Sequence, residues 1–150
     1  MLSGVDLWRR IVLDDDVRKL PLLPELPGVT QLTLHLCKVP RNFFHDSENF
    51  RRAPATAILS LCDTKWSDAV LRDLAEDEDR DAGQVLPHLG CLELTALNEE
   101  KGYMALLRFL EKRKSFVHPL KEVRLGEKLQ SQMGAEFLGS LGEFVEVLTA

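Results

Sequence analysis

Short apolar segments recur along the chain in one shared frame. Within each segment, apolar residues stand at relative positions 1, 4, 7 and 9. Segments 26–34, 86–94 and 117–125 keep the frame fully, and segment 53–61 keeps it with Ala53 and Thr56 at the two outer positions. Weaker copies occupy residues 5–13 and 141–149. The recurrence indicates a chain that is built from one repeated structural unit.

The spacing within the frame predicts a short strand that follows a turn. Its last two apolar positions are separated by one residue, so their side chains point to the same face of a strand. The first two positions lie on the approach to that strand. One such coil cannot bury its apolar edge alone, whereas stacked coils form a continuous core. We therefore expect short parallel strands that lie side by side along the chain.

Between these strands the hydrophobic pattern changes to a helical period. It predicts helices over residues 66–74, 101–114 and 131–141, of which the second has an apolar stripe through Tyr103, Leu106 and Leu110. We interpret the basic run 108–114 and the acidic run 73–81 as solvated surfaces. The proline-broken stretch 20–27 predicts a tight convex loop, since proline ends helices.

The combined pattern is typical of leucine-rich repeats. Residues 29–39 (VTQLTLHLCKV) follow the scheme LxxLxLxxCxL, with Cys37 at the turn after the strand. We predict an α/β leucine-rich-repeat solenoid of about five or six irregular repeats, with short parallel strands on the concave side and helices and loops on the convex side. We expect residues 1–150 to form one domain that is truncated at both ends, with a weak repeat remnant over 1–25, the clearest repeats over 26–130 and a weak terminal repeat over 131–150.

Residues 20–130 resemble the leucine-rich-repeat regions of fungal F-box proteins. The resemblance depends on the segments LPGVTQLTLHLC, LPHLGCLELTAL, LLRFLEKRK and PLKEVRL, with WSDAVLRDL in support. It implies the substrate-recognition part of a ubiquitin-ligase receptor, in which the repeats hold the target. We interpret Leu7, Trp8 and Ile11 as a repeat remnant, so binding of the ligase adaptor is expected only if a longer form carries an F-box.

Composition and charge narrow the class of protein. Hydrophobic residues make up 45% of the chain and charged residues 29%, and the net charge is -5. This balance suits a globular domain and gives no electrostatic reason to bind nucleic acid. No apolar stretch is long enough for a membrane helix. The three cysteines, Cys37, Cys62 and Cys91, form no CxxC pair, which favours reduced thiols in a cytoplasmic or nuclear protein and no zinc site.

The frame also names the candidate binding residues. They flank the buried strand positions, so they should point outward on the concave side and form a mixed apolar and charged surface suited to a protein target. These residues are Gln31, Thr33, His35, Ile58, Ser60, Cys62, Cys91, Glu93, Thr95, Glu122 and Arg124.

No catalytic residue, metal-ligand set or cofactor is predicted. His35 and Cys37 stand two apart, but we interpret Cys37 as a turn residue and not as a nucleophile. The prediction is therefore a non-enzymatic interaction scaffold with an unknown protein target. Two alternatives stay open: a small α/β enzyme domain with a parallel sheet, and a truncated gene product without independent function. The short strands, with two buried positions each, favour the scaffold over the enzyme.

Overall fold

A computed structural model describes residues 10–13, 28–35, 48–62, 70–72, 74–75, 85–97, 101–115 and 119–149. The described residues contain six strands: β1 (Arg10–Leu13), β2 (Gln31–His35), β3 (Ile58–Cys62), β4 (Cys91–Leu94), β5 (Glu122–Leu125) and β6 (Glu146–Thr149). They form one open sheet in chain order, and each strand pairs parallel with the next. The predicted α/β class with a parallel sheet is confirmed.

The register of the sheet aligns the predicted apolar positions. One row of paired residues is Ile11, Leu32, Leu59, Leu92, Val123 and Val147, and the next is Leu13, Leu34, Leu61, Leu94, Leu125 and Thr149. Leu59, Leu61, Leu92 and Leu94 have no solvent exposure. A slip of one residue would turn each leucine pair to the other face, so burial fixes this register.

The approach to the strands repeats one hydrogen-bonded turn. In three of the segments the amide at relative position 4 donates to the carbonyl at relative position 1: Thr56 to Ala53 at 3.2 Å, Leu89 to Leu86 at 3.1 Å and Phe144 to Leu141 at 3.0 Å. Directly before β2, β3 and β4, the carbonyls of Thr30, Ala57 and Gly90 each accept hydrogen bonds from two amides at the start of the next strand segment. These bonds satisfy backbone groups that would otherwise be buried without partners.

Helices occupy the segments between strands. They are α1 (Glu48–Arg51), α2 (Lys101–Arg113), α3 (Glu127–Gln132) and α4 (Ala135–Gly142), and residues 70–72 and 74–75 are also helical. Helix α2 confirms the prediction over 101–114 to within one residue, and residues 70–75 agree with the predicted helix over 66–74 where they are described. Helix α1 has no counterpart in the sequence analysis.

The prediction of a single helix over 131–141 is wrong, because the helical conformation is interrupted at Met133 and Gly134. Met133 is extended, with φ -78° and ψ 137°, and Gly134 has ψ 155°. Met133 is buried in the core, whereas glycine gains little from a helical conformation and loses more backbone freedom than other residues. Burial of the Met133 side chain therefore outweighs the continuation of the helix.

The core lies between the sheet and the helices. Strand leucines form one cluster with Phe50, Leu71, Leu106 and Phe109. At the far end of the sheet, the rings of Tyr103 and Phe137 stack with centroids 4.6 Å apart and so join α2 to α4. The predicted loop over 20–27, Cys37 and residues 1–9 lie outside the described residues.

The interpretation of the basic run 108–114 as a solvated surface is wrong for Arg113. Its side chain has no solvent exposure and donates from Nη1 to the carbonyl of Leu86 at 2.6 Å and from Nη2 to that of Val85 at 2.5 Å. Its guanidinium carbon lies 5.1 Å from the centre of the Phe109 ring. Leu86 has φ 51°, a left-handed conformation that costs about 1–2 kcal/mol for a residue with a side chain. Arg113 thus stabilises a strained turn just before β4.

Candidate functional site

The open face of the sheet is the face opposite the core. Because strand side chains alternate, it carries the residues between the buried rows. The strand register aligns them in two rows: Gln31, Ile58, Cys91, Glu122 and Glu146, and Thr33, Ser60, Glu93, Arg124 and Leu148. Eight of the eleven predicted site residues belong to these rows, and the register brings them together.

The other three predicted site residues lie at the ends of strands. His35 and Cys62 pair at the ends of β2 and β3, but their side chains lie outside the described ones. Thr95 follows β4, and its amide donates to the carbonyl of Leu61 at 3.3 Å. These residues therefore border the open face.

Three residues that we expected to point outward for contact are in fact buried. Thr33, Ser60 and Cys91 are each about 4% exposed, whereas Gln31, Ile58 and the charged members of the rows are partly exposed. Neighbouring strands lie only about 4.8 Å apart, so a short side chain is readily covered by a longer one on the next strand. Ser60 and Cys91 each pair with a glutamate on the next strand, Glu93 and Glu122 respectively.

A polar network crosses three strands of the open face. Ser60 Oγ on β3 donates to Glu93 Oε1 on β4 at 3.1 Å. Arg124 on β5 places Nη1 3.8 Å from the same oxygen, and its Nη2 donates to Glu122 Oε1 at 3.0 Å. Arg124 therefore links two carboxylates from adjacent strands and orders side chains that repulsion would otherwise separate.

The network carries an excess of negative charge. Glu146 on β6 pairs with Glu122 on β5, so three carboxylates share this end of the open face with one guanidinium. We call Glu93, Glu122, Arg124 and Glu146 the acidic patch. The side chain of Arg124 is 37% exposed and those of Glu93 and Glu122 are 25% exposed, so a partner could reach all three.

The thiol of Cys91 is chemically quiet despite its place beside charged groups. Burial raises its pKa from 9.0 to about 12, and a hydrogen bond with Glu122 acts in the same direction, while Arg124 partly opposes both. The thiol therefore keeps its proton at neutral pH. Since the thiolate is the nucleophile of cysteine chemistry, Cys91 is a poor nucleophile.

Thr33 has a hydroxyl group with unused hydrogen-bonding capacity. Its Oγ1 is buried and has no hydrogen-bond partner among the described residues. Thr33 pairs with Ser60 in the register, one strand from the network. A hydroxyl in this state is uncommon, because buried polar groups nearly always have partners.

Glu146 and Leu148 belong to the open face but were absent from the prediction. The terminal copy of the frame is weak, since it ends in Thr149. Had the alternation been extended through that copy, both residues would have been found. Within the described ranges, no three histidine, cysteine, aspartate or glutamate side chains are arranged so that they could hold a metal ion, and no helix is long and apolar enough to cross a membrane.

The chain was compared with protein-family models, with curated proteins and with solved structures, and none of these matches it.

Proposed function

We infer that this chain is a leucine-rich-repeat scaffold that binds a protein partner on the open face of its sheet. Two observations support the repeat architecture. The apolar frame coincides with the register of all five strand pairs, and the turn before the strand recurs with the same hydrogen bond in three places. A unit that repeats in sequence, register and turn geometry is what stacked coils require.

The acidic patch is the observation that carries the binding proposal. Ser60 donates to Glu93 from the adjacent strand, and Arg124 bonds Glu122 within β5 and lies 3.8 Å from Glu93. These contacts order three of the four charged side chains, so a partner loses little side-chain entropy on that side. Three carboxylates against one guanidinium favour a partner segment with lysine or arginine side chains. Ile58, which is partly exposed on β3, adds an apolar contact beside the charged end.

The sequence resemblance suggests the biological setting. In the leucine-rich-repeat regions of fungal F-box proteins, the repeats hold the substrate of a ubiquitin ligase. We propose that the open face of this chain has the corresponding role and binds a basic segment of its target. Adaptor binding would require an F-box in a longer form of the protein.

The binding proposal is tested with two matched double variants. Glu122→Gln with Glu146→Gln removes two charges from the acidic patch and keeps side-chain shape, whereas Glu127→Gln with Glu143→Gln removes two exposed charges elsewhere. Partners captured by the wild-type chain from cell extract would be identified by mass spectrometry, and their affinity measured with purified protein. We expect a partner with a basic segment, bound at least about tenfold more weakly by the first variant and unchanged by the second.

A partner retained equally by both variants would show that binding takes place outside the acidic patch.

Membership of a ubiquitin ligase is tested separately. In cells that lack this protein, the partner's half-life should lengthen, and a ligase adaptor should co-precipitate only with a form that contains an F-box. A partner whose ubiquitylation and half-life do not change would leave a scaffold without a ligase role.

A further inference from the structure

Helix α2 has a stripe that is exposed at three positions and partly buried at Ala105, which packs against the edge of the core. Lys101, Met104, Ala105 and Arg108 stand at spacings of three and four residues, so they share one face of the helix. Together with Arg72 from the helical residues 70–72 they line a groove of about 310 Å³. We call these five residues the helix groove. The opposite face of α2 packs into the core, so the groove lies away from the open face of the sheet.

An exposed methionine lies at the centre of the helix groove. Met104 is 73% exposed and is the one large hydrophobic side chain that is exposed in the described part of the chain. Its apolar surface is in contact with water, and burial of that surface against a partner would be favourable. Methionine is flexible and polarisable, and it is common at surfaces that adapt to a partner's apolar side chains.

The charges of the helix groove are all of one sign. Arg72, Lys101 and Arg108 are cationic, and none of the described residues that line the groove is acidic. This positive site stands out on a chain whose net charge is -5. Cations on either side of Met104 favour a ligand that combines an apolar side chain with carboxylates. The stripe from residue 101 to 108 spans about 10 Å, or two helical turns.

We propose that the helix groove binds an acidic amphipathic segment of a partner protein, with apolar side chains on Met104 and Ala105 and carboxylates at Lys101 and Arg72. The site is distinct from the acidic patch and would bind a segment of opposite charge. A chain with both sites can hold two partners, or two parts of one partner, on opposite sides of its core.

The test uses the full chain and synthetic fluorescein-labelled helical peptides in fluorescence anisotropy. The probe peptide carries two central leucines flanked by glutamates, and the comparison peptides replace the glutamates by lysines or the leucines by serines. We expect the glutamate–leucine peptide to bind, the lysine peptide not to bind, and the serine peptide to bind several-fold more weakly. Equal binding of the leucine and serine peptides would overturn the amphipathic assignment.

Matched charge reversals locate the site. Lys101→Glu with Arg72→Glu should weaken binding of the probe peptide at least about tenfold, the effect of two exposed ion pairs. Lys121→Glu with Lys128→Glu reverses two exposed charges outside the groove and should leave binding unchanged. If both double variants lost the same affinity for the probe peptide, the peptide would respond only to the overall charge of the chain, which would contradict the proposal. Circular dichroism would verify that each variant is folded.

Two further results separate the alternatives. Met104→Ser should weaken binding of the leucine peptide and leave that of the serine peptide unchanged, whereas Ile58→Asp, on the open face, should affect neither. A short DNA duplex provides a further comparison. If it bound as tightly as the probe peptide, and if Lys101→Glu with Arg72→Glu abolished its binding, the groove would be a phosphate-binding site and the proposal would be overturned. Failure of the open-face variants to lose their partner would not alter these outcomes, because the two sites share no residue.

Discussion

Two arginines in this protein have opposite surroundings, in the turn before β4 and in the acidic patch. Arg113 has no exposure and donates to two neutral backbone carbonyls, those of Val85 and Leu86. Arg124 has a side chain 37% exposed and lies among carboxylates on adjacent strands. The first fixes the shape of a strained turn, and the second orders a charged surface that solvent can reach.

The difference separates a stabilising region from a recognition region. A buried guanidinium cannot be removed without leaving carbonyls that lack partners, so its turn depends on it. A partly exposed guanidinium can exchange its contacts with water or with a partner, and its loss costs the fold little. We therefore expect changes near Arg113 to affect stability and changes near Arg124 to affect binding.

The largest expected effect is the slow reaction of Cys91 at the edge of the acidic patch. With Cys37→Ala and Cys62→Ala in the background, the folded chain should react with iodoacetamide about a hundred to a thousand times more slowly than the urea-unfolded chain at pH 7.5. The reason is that its pKa is raised from 9.0 to about 12, which depletes the thiolate. Similar rates in the two states would mark the patch as a reactive site and not as a passive surface.

The same thiol should make stability depend on alkaline pH. The unfolded thiol loses its proton near pH 9.0, whereas the folded one keeps it until about pH 12. Stability is therefore unaffected below pH 9 and falls as the pH rises from about 9 towards 12. Urea unfolding of the wild type and of Cys91→Ala over this range measures the difference, and the variant should show the flatter profile.

Arg113→Leu should destabilise the chain by about 3 kcal/mol, because two buried carbonyls lose a charged donor and the left-handed Leu86 loses its restraint. Chemical denaturation measures the change. The neighbouring Lys114→Leu provides the control, since Lys114 is exposed and should change stability by less than about 0.5 kcal/mol. Equal effects of the two variants would show that Arg113 is not a structural residue.

Ser60→Ala should cost about 1 kcal/mol, because it removes one hydrogen bond from a partly buried carboxylate that keeps Arg124 nearby. Ser115→Ala removes a hydroxyl whose bond to Lys112 is exposed, and it should be nearly neutral. The two variants are compared in the same denaturation experiment. If Ser60→Ala did not change the free energy of unfolding, the network would not extend to β3.

Arg124→Leu should have the smallest effect on stability, well below that of Arg113→Leu. It leaves Glu93 and Glu122 without their shared cation, so the two carboxylates repel each other. The loss of stability should therefore be smaller at 1 M salt, where charges are screened over about 3 Å. Thermal melts at low and high salt measure this dependence. A loss as large as that of Arg113→Leu would remove the distinction between the two regions.

Much of the open face could be predicted from the sequence, but its exposure could not. The frame predicted that Glu93 and Arg124 lie side by side, because side-chain alternation is a local property and the frame aligns neighbouring strands. Whether Ser60 is covered depends on the side-chain conformation of Glu93, 33 residues later. The helix groove was missed, since its Arg72 and Met104 come from different segments and no periodicity relates them.

Arg113 shows the same limit within a correctly predicted helix. It continues the buried stripe of Leu106, Phe109 and Leu110, and that spacing was the available signal for its burial. Its charge suggested a solvated position, because arginine is rarely buried without a partner. The partners are carbonyls 27 and 28 residues earlier, in a turn whose left-handed residue is a leucine and not a glycine.

From the sequence alone, the parallel strands and their two rows of buried residues could be predicted, since each strand segment carries two apolar residues, one residue apart, in the same frame. The tertiary structure decided the break at Met133 and Gly134, the burial of Thr33, Ser60 and Cys91, and the role of Arg113. Each of these depends on contacts between residues distant in the chain, where packing and hydrogen bonding outweigh local preference.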